Sequence, residues 1–273
     1  MKTITDIMIK LDMQAEIKKK VIEVAQTIDL DLYKDDIIAL TDIKTANEAK
    51  DRLKEKLAQD NGNIKILTCM LYALNYTYVG YKDKGISKTI FIDTMKAFRR
   101  FVQEHYNGNQ KWAFDRDWWI YRQLAMTIFR IGELEYEMKN VDGNKYISMH
   151  IPSDANLKPD KVKQSLNEAL DFFRKYYLEY SEVKYVCSSW LLSSDLVNVL
   201  DEESNILKFR ELFDILRENY NSSGFIKWIY KTEYSDLNDL PEDTSLQRNL
   251  KQYLLAGNSV SVAYGELDFE RIK

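Results

Sequence analysis

Cysteine, histidine and proline are scarce in this sequence, and each scarcity excludes something. The two cysteines, Cys69 and Cys187, stand too far apart for a disulfide framework or a zinc knuckle. The two histidines, His105 and His150, fit no HExxH pattern, so no metal site is expected. All three prolines fall after residue 150, which suits a helical first half. No apolar run approaches the ~20 residues of a membrane-spanning helix. The opening stretch MKTITDIMIKLDM carries charges inside its apolar run, unlike a secretory signal. A formal charge of −4 with both signs interspersed offers no basic face to nucleic acid. The expectation is a cytoplasmic chain with neither a membrane nor a nucleic acid as partner.

What is present is enough for a real core. Hydrophobic residues make up 45% of 273 residues, a length compatible with one large domain or two of ~100–200 residues. The first part repeats at helical spacing. Ile17, Val21, Val24 and Ile28 form one stripe. Ala46, Ala49, Leu53 and Leu57 form a second, opened by Thr45 and Glu48 as a capping box. Ile64, Leu67, Leu71, Leu74 and Tyr78 form a third. Phe91, Met95, Phe98 and Val102 form a fourth, with Ser87 as its cap and His105 continuing its face as a structural residue. A fifth helix is expected from Asp117 as N-cap through Tyr121, Leu124 and Ile128, up to Gly132. NGNQK (107–111) is expected as a loop.

After Gly132 the period changes to two. Residues 130–139 and 145–151 alternate and are joined by NVDGN, where Asp-Gly is a strong hairpin signal. Pro159 sits where a first helical turn tolerates it, and Val162, Leu166, Ala169, Phe173 and Tyr176 continue a helix. KYVCSSWLL (184–192) is expected as an apolar strand and residues 204–218 as a helix with Ile206, Phe209, Leu212, Phe213 and Leu216 inward. FIKWIYK (225–231) is expected as a strand, SLQRNLKQYLLAG (245–257) as a helix, and SVAYGELDF as a closing strand. The fold class is therefore α+β: an all-helical N-terminal domain, 1–126, followed by a mixed β-sheet domain flanked by helices, 127–273. The strand–helix–strand crossover should be right-handed.

The order hairpin–helix–strand–helix–strand resembles the fold of the Gcn5-related N-acetyltransferases, the GNAT fold. Sequence blocks carry the likeness further: FDRDWWIYRQLAMTIFRIGELEYEM, HIPSDANL, CSSWLL followed by SNILKFRELF, and LPEDTSLQRNLKQYLLAG. In order across residues 112–269, they resemble a bacterial acyltransferase-domain family with a helical N-terminal acyltransferase region and a GNAT-like C-terminal domain. The resemblance implies an acyl-CoA-dependent N-acyltransferase, with acetyl-CoA or another acyl-CoA as substrate and a small-molecule or peptide amine as acceptor. The alternative is a non-catalytic GNAT-like module that senses a CoA-like ligand or docks a protein.

In such folds the junction of the fourth strand with the following helix cradles the CoA pyrophosphate, because a helix N-terminus offers unpaired N–H groups and partial positive charge. That places the cofactor contact at Ile151, Ser153, Asp154, Ala155, Asn156, Leu157 and Lys158. The usual loop is Q/R-x-x-G-x-G/A; here IPSDANLKPD has no glycine, Lys158 and Lys161 supply charge, and Asp154 and Asp160 oppose an anion. Aminolysis of a thioester needs a base for the amine proton and an acid for the departing thiolate. His150, on the polar face of its strand with Tyr146 and Ser148, is the first choice of base, or else a structural histidine. Glu133 and Glu135 on the paired strand come next. NYNSSGF (219–225) resembles the acetyltransferase pattern YxxxGF, which would make Tyr220 the acid. Cys187 invites a nucleophile reading with His150, although an apolar strand centre usually holds an inert thiol. Arg122 and Gln123, and Ser245, Gln247 and Arg248, are polar clusters expected either to bind ligand or to tie the two halves together.

Overall fold

The computed structural model describes residues 3–221, 224–231 and 233–272 and divides into two compact units, residues 1–130 and 131–273. The first unit contains helices α1 (Ile4–Lys10), α2 (Ala15–Thr27), α3 (Lys34–Ala39), α4 (Ala46–Leu57), α5 (Ile64–Asp83), α6 (Lys88–Met95), α7 (Ala97–Asn109) and α8 (Asp117–Leu124). No strand occurs among its described residues before β1 (Ile128–Ile131), which runs across the boundary. Most of the anticipated stripe residues are buried, with Val24, Ile28, Tyr78 and Tyr121 half-buried, and α5 is buried on most of its circumference. Tyr81 packs edge-on against Phe91 and Phe129 at 5.1 and 5.8 Å.

Local chemistry departs from expectation at five points here. Thr45 does not cap α4: its backbone is already helical, and its hydroxyl donates to the Ala39 carbonyl at 2.8 Å. The helix expected over residues 91–102 is two helices that meet at Lys96, with Ser87 capping the first. Helix α7 runs on to Asn109, through most of the expected loop. Asp117 is not a cap but the first helical residue, buried and paired with Lys54 at 2.8 Å. Helix α8 stops at Leu124, where Met126 adopts φ +56°, so Ile128 belongs to β1 rather than to the helix. No described helix is long and apolar enough to cross a membrane.

The second unit contains β2 (Leu134–Val141), β3 (Asn144–His150), α9 (Pro159–Tyr176), β4 (Lys184–Ser189), α10 (Asn205–Arg210), β5 (Phe213–Asn219), α11 (Gly224–Tyr230), α12 (Ser245–Leu255) and β6 (Val262–Leu267). The sheet order is β1-β2-β3-β4-β6-β5. β2 and β3 form the expected hairpin, closed by Asp142 and Gly143, both at positive φ, the requirement of a type I′ turn. β3 and β4 are parallel, joined through α9; β4–β6 and β6–β5 are antiparallel. Three assignments are corrected. The helix over 204–218 ends at Arg210, and residues 213–219 are β5, with Leu216 exposed. FIKWIYK is a helix, α11, which buries Phe225, Ile229 and Tyr230 against Leu250 and Leu254 of α12. The 184–192 strand stops at Ser189, whose hydroxyl accepts the Leu191 amide and turns the chain.

One face of this sheet is apolar. Leu134 and Tyr136, Ile147 and Met149, and Tyr185 and Cys187 are buried there. Val162, Leu166, Ala169 and Phe173 of α9 are buried too, with Phe173 edge-on to Tyr136 and Tyr185. The other face carries Glu135 and Glu137 of β2, Tyr146, Ser148 and His150 of β3, and Ser188 of β4. It is on this second face that the candidate chemistry lies.

Candidate active site

β3 and β4 part at their C-terminal ends. Their ladder runs from Tyr146–Lys184 to Met149–Cys187 and stops. Beyond it, His150 still pairs with Glu135 on β2, and Ser188 and Ser189 still pair with Tyr264 and Ala263 on β6. Each strand thus keeps its outer neighbour and loses the inner one. Two local causes are visible. Pro152 has no N–H to extend a ladder, and its carbonyl accepts from Ala155 in a turn; the Ser189 side chain bends β4 away.

His150 stands at this parting with its side chain 21% exposed. Its Nε2 lies 2.8 Å from Glu137 Oε2, while Glu137 Oε1 lies 2.7 Å from Lys139 Nζ. The Glu137 side chain is only 3% exposed. A carboxylate on one ring nitrogen fixes the tautomer and the orientation of the ring. The residue opposite His150 in register is Glu135, itself buried, yet the imidazole reaches the diagonal neighbour Glu137. Glu137 is the residue that sequence reasoning left out of the site; its place on the polar face of β2 was the available signal.

Glu133 is engaged elsewhere: its Oε2 accepts the Asn156 amide at 2.8 Å. The junction loop is largely bonded to itself, with Ala155 N–H donating to Pro152 and Lys158 N–H to the Asn156 side chain. The amides of Ala155 and Asn156 are therefore spent on protein acceptors. Ser153, Asp154, Asn156 and Lys158 are exposed, and Ile151, Ala155 and Leu157 are half-buried. Pro159 opens α9, and Lys158 sits at its cap without a side-chain bond.

Tyr220 is not brought to His150. It follows β5 at the outer edge, and three strand spacings, about 14 Å, separate β5 from β3. Its hydroxyl donates to Glu218 at 3.1 Å; Ser222 and Ser223 of the YxxxGF match lie outside the described residues. Cys187 lies on the α9 face, opposite to His150, and burial pushes its thiol up to about 12, so it is protonated at neutral pH and out of reach of the imidazole. His105 in the first unit pairs with Asp115 at 3.4 Å. Gln247 forms the capping box of α12 with Thr244, and Arg248 donates to the Glu242 carbonyl. Arg122 stacks 3.8 Å over Trp119, and Gln123 is fully buried.

Residues 2–126 match the family described as an N-acyltransferase N-terminal domain, and residues 128–267 the one described as a GNAT-like C-terminal domain. No curated protein matches the sequence. Among solved structures, an acyltransferase in complex with decanoyl-CoA superposes with a TM-score of 0.81 at 19% identity, over 96% of this chain and 86% of that one. The same values hold for an acyltransferase in complex with decanoyl-CoA and teicoplanin. A mutant acyltransferase in complex with octanoyl-CoA gives a TM-score of 0.81 at 18% identity, over 97% and 87%. At such identity the likeness is one of fold.

Proposed function

This chain belongs to the family that joins an N-acyltransferase N-terminal domain to a GNAT-like C-terminal domain, and from that premise we propose that it transfers an acyl group from acyl-CoA to an amine. The observation that carries the proposal is the parting of β3 from β4 with the His150–Glu137 pair at its mouth. A pantetheine arm is an extended chain of amides, and a strand edge released from its neighbour can hydrogen-bond such a chain as an added strand. The acyl-CoA ligands of the structural neighbours support the same donor here, and the neighbour that holds teicoplanin together with decanoyl-CoA supports a small-molecule acceptor.

In the proposed reaction the amine nitrogen attacks the thioester carbonyl carbon. The C–N bond forms and the C–S bond breaks, with its electron pair leaving on the CoA sulfur. His150 accepts the proton lost by the attacking nitrogen, exchanging it at Nδ1 while Nε2 stays on Glu137. The Glu137 carboxylate stabilises the imidazolium formed, the role of the third member of a triad. The departing thiolate, an ordinary thiol with a pKa of ~8.5, takes its proton from that imidazolium or from water. Lys158 and Lys161 supply positive charge for the CoA phosphates beside the first turn of α9.

One observation favours the protein-docking form of the non-catalytic alternative. The junction amides of Ala155 and Asn156 are bound internally, where a phosphate cradle needs them turned outward. A single experiment separates the two. The purified protein is given decanoyl-CoA and a panel of amines, and free CoA thiol is followed with a thiol reagent. Amine-dependent thiol release that His150→Ala abolishes supports transfer. Saturable acyl-CoA binding with no release beyond hydrolysis assigns the protein to the sensing class, and neither binding nor release assigns it to the docking class.

A further inference from the structure

The proposed reaction leaves the departing sulfur without a hydrogen-bond donor from the protein. Tyr220, the acid that the YxxxGF match suggests, follows β5 at the outer edge of the sheet and donates to Glu218. The parting of β3 from β4 supplies another hydroxyl. Met149 and Cys187 are the last pair of the ladder, and both are buried. The next residue on each strand is the first beyond the ladder: His150 on β3 and Ser188 on β4. Successive side chains alternate between faces, which carries both to the polar face, one on each side of the gap.

Ser188 is held by its other neighbour. It pairs with Tyr264 on β6, so the backbone that carries it is fixed while the residue itself is exposed. Among the described residues no group hydrogen-bonds its hydroxyl. Serine is not among the residues that strands favour, and Val186 and Cys187 before it are apolar and buried. Neither packing nor a bond within the fold accounts for a hydroxyl at this point. The other hydroxyls nearby are less well placed. Ser189 alternates to the opposite face and accepts the Leu191 amide. Ser148 stands inside the ladder, level with Val186. Tyr264 is one strand further from the gap, with the Arg217 guanidinium 4.5 Å from the centre of its ring.

A pantetheine chain lying between two strands as an added strand runs about 4.8 Å from each. Its sulfur at the mouth then has a serine on the β4 side and the longer imidazole on the β3 side. In aminolysis the amine and the sulfur are separate substituents of the tetrahedral carbon, and each needs its own partner. We propose that the Ser188 hydroxyl donates a hydrogen bond to the CoA sulfur and stabilises the thiolate as the C–S bond breaks. This assignment rests on the acyl-transfer reading above. The electron pair of the bond leaves on sulfur, the hydroxyl keeps its proton, and the amine proton goes to His150 as before. A thioether-like sulfur is a weak acceptor, whereas a donor aimed at charge that develops in the transition state acts there. Ser188 therefore acts on kcat rather than on acyl-CoA binding.

The test compares Ser188→Ala and Ser188→Thr with wild type in two measurements on the full-length protein, with a melting curve to check the fold. In amine acylation from decanoyl-CoA, Ser188→Ala should lower kcat by about ten- to a hundredfold, the worth of a hydrogen bond to a charged group. Its Kd for decanoyl-CoA should stay within about twofold of wild type, and Ser188→Thr, which keeps the hydroxyl, should recover most of the rate. In calorimetry at about pH 9.5, where a thiol of pKa ~8.5 is mostly ionised, CoA is compared with desulfo-CoA, which lacks the sulfur. Wild type and Ser188→Thr should favour CoA over desulfo-CoA by about tenfold more than Ser188→Ala does. An unchanged kcat in Ser188→Ala, an equal loss in Ser188→Thr, or a CoA preference that Ser188→Ala leaves intact overturns the proposal. The two readings can fail separately. Full-rate acylation by Ser188→Ala refutes Ser188 alone. A CoA preference that depends on Ser188, in a wild type that acylates no amine, upholds the contact to sulfur and refutes the transfer reading.

Discussion

Glu133 Oε2 accepts the backbone N–H of Asn156 at 2.8 Å, which places a carboxylate on an amide that a phosphate-binding junction would present to its ligand. Glu133 thus shapes the loop ahead of α9. Glu133→Gln should leave kcat within about threefold, because the carboxylate is not spent on proton transfer, and should tighten CoA binding by removing a negative charge. Kinetics and calorimetry on one preparation test both. A loss of about a hundredfold in kcat or more would make Glu133 the base.

His150 and Glu137 should behave as a coupled pair. His150→Ala should slow amine acylation by about 10²–10⁴-fold with little change in acyl-CoA affinity. Glu137→Gln keeps the shape but offers a neutral partner to the ring, and should lower kcat at least about tenfold. The double variant should be no slower than His150→Ala. If the two losses multiply instead, Glu137 acts other than through the imidazole.

Gly132 and Ser165 fix the turn that leads into β2. Gly132 has φ +58°, and a Cβ there would stand 2.9 Å from the Ser165 Cβ. The Ser165 hydroxyl donates to the Ile131 carbonyl and accepts from the Leu134 amide and the Tyr136 hydroxyl, all buried. Gly132→Ala should cost about 1–3 kcal/mol from backbone strain alone. Ser165→Ala should cost about 2–3 kcal/mol by stranding those partners. Urea denaturation measures both, and a change below about 0.5 kcal/mol in either would contradict the account.

Glu218 makes stability depend on acid. Burial pushes its carboxyl up, but hydrogen bonds from the Ser194 hydroxyl and amide, Ser261 and Tyr220 outweigh burial and hold it below the usual glutamate value. With the folded pKa lower than the unfolded one, its contribution is complete above the unfolded value of ~4.3 and is lost as pH falls through the folded value. Glu218→Gln should therefore be less stable than wild type near neutrality, and the gap should shrink on acidification from about pH 6 to about pH 3. A gap constant across that range would mean that the charge is not what the network holds.

The long periodic helices and the Asp-Gly hairpin were legible because one local rule decides each. The errors cluster where tertiary contact overrules local pattern. Residues 204–218 keep a helical apolar spacing, but Phe213 and Ile215 pair with Leu267 and Gly265 on β6, a partner some fifty residues away. FIKWIYK is short enough to satisfy both periods, and burial of Phe225 with Ile229 chooses the helix. The end of α8 has no glycine to announce it, because Met126 itself takes the left-handed turn. At the site, alternation exposed the polar faces of β2 and β3. Which diagonal His150 would take depends on sheet twist and ring rotamer, and no spacing rule supplies that.

β6 has a consequence for biosynthesis. Residues 262–267 lie between β4 and β5 in the sheet, so both strands leave the ribosome before the strand that joins them. Until then β5 has no neighbour and β4 shows a bare edge next to the parting from β3, the kind of unpaired edge that recruits foreign strands. The nascent second unit is therefore a candidate client for a chaperone over that interval, and a ribosome stalled ahead of Val262 would hold it with its sheet in two pieces.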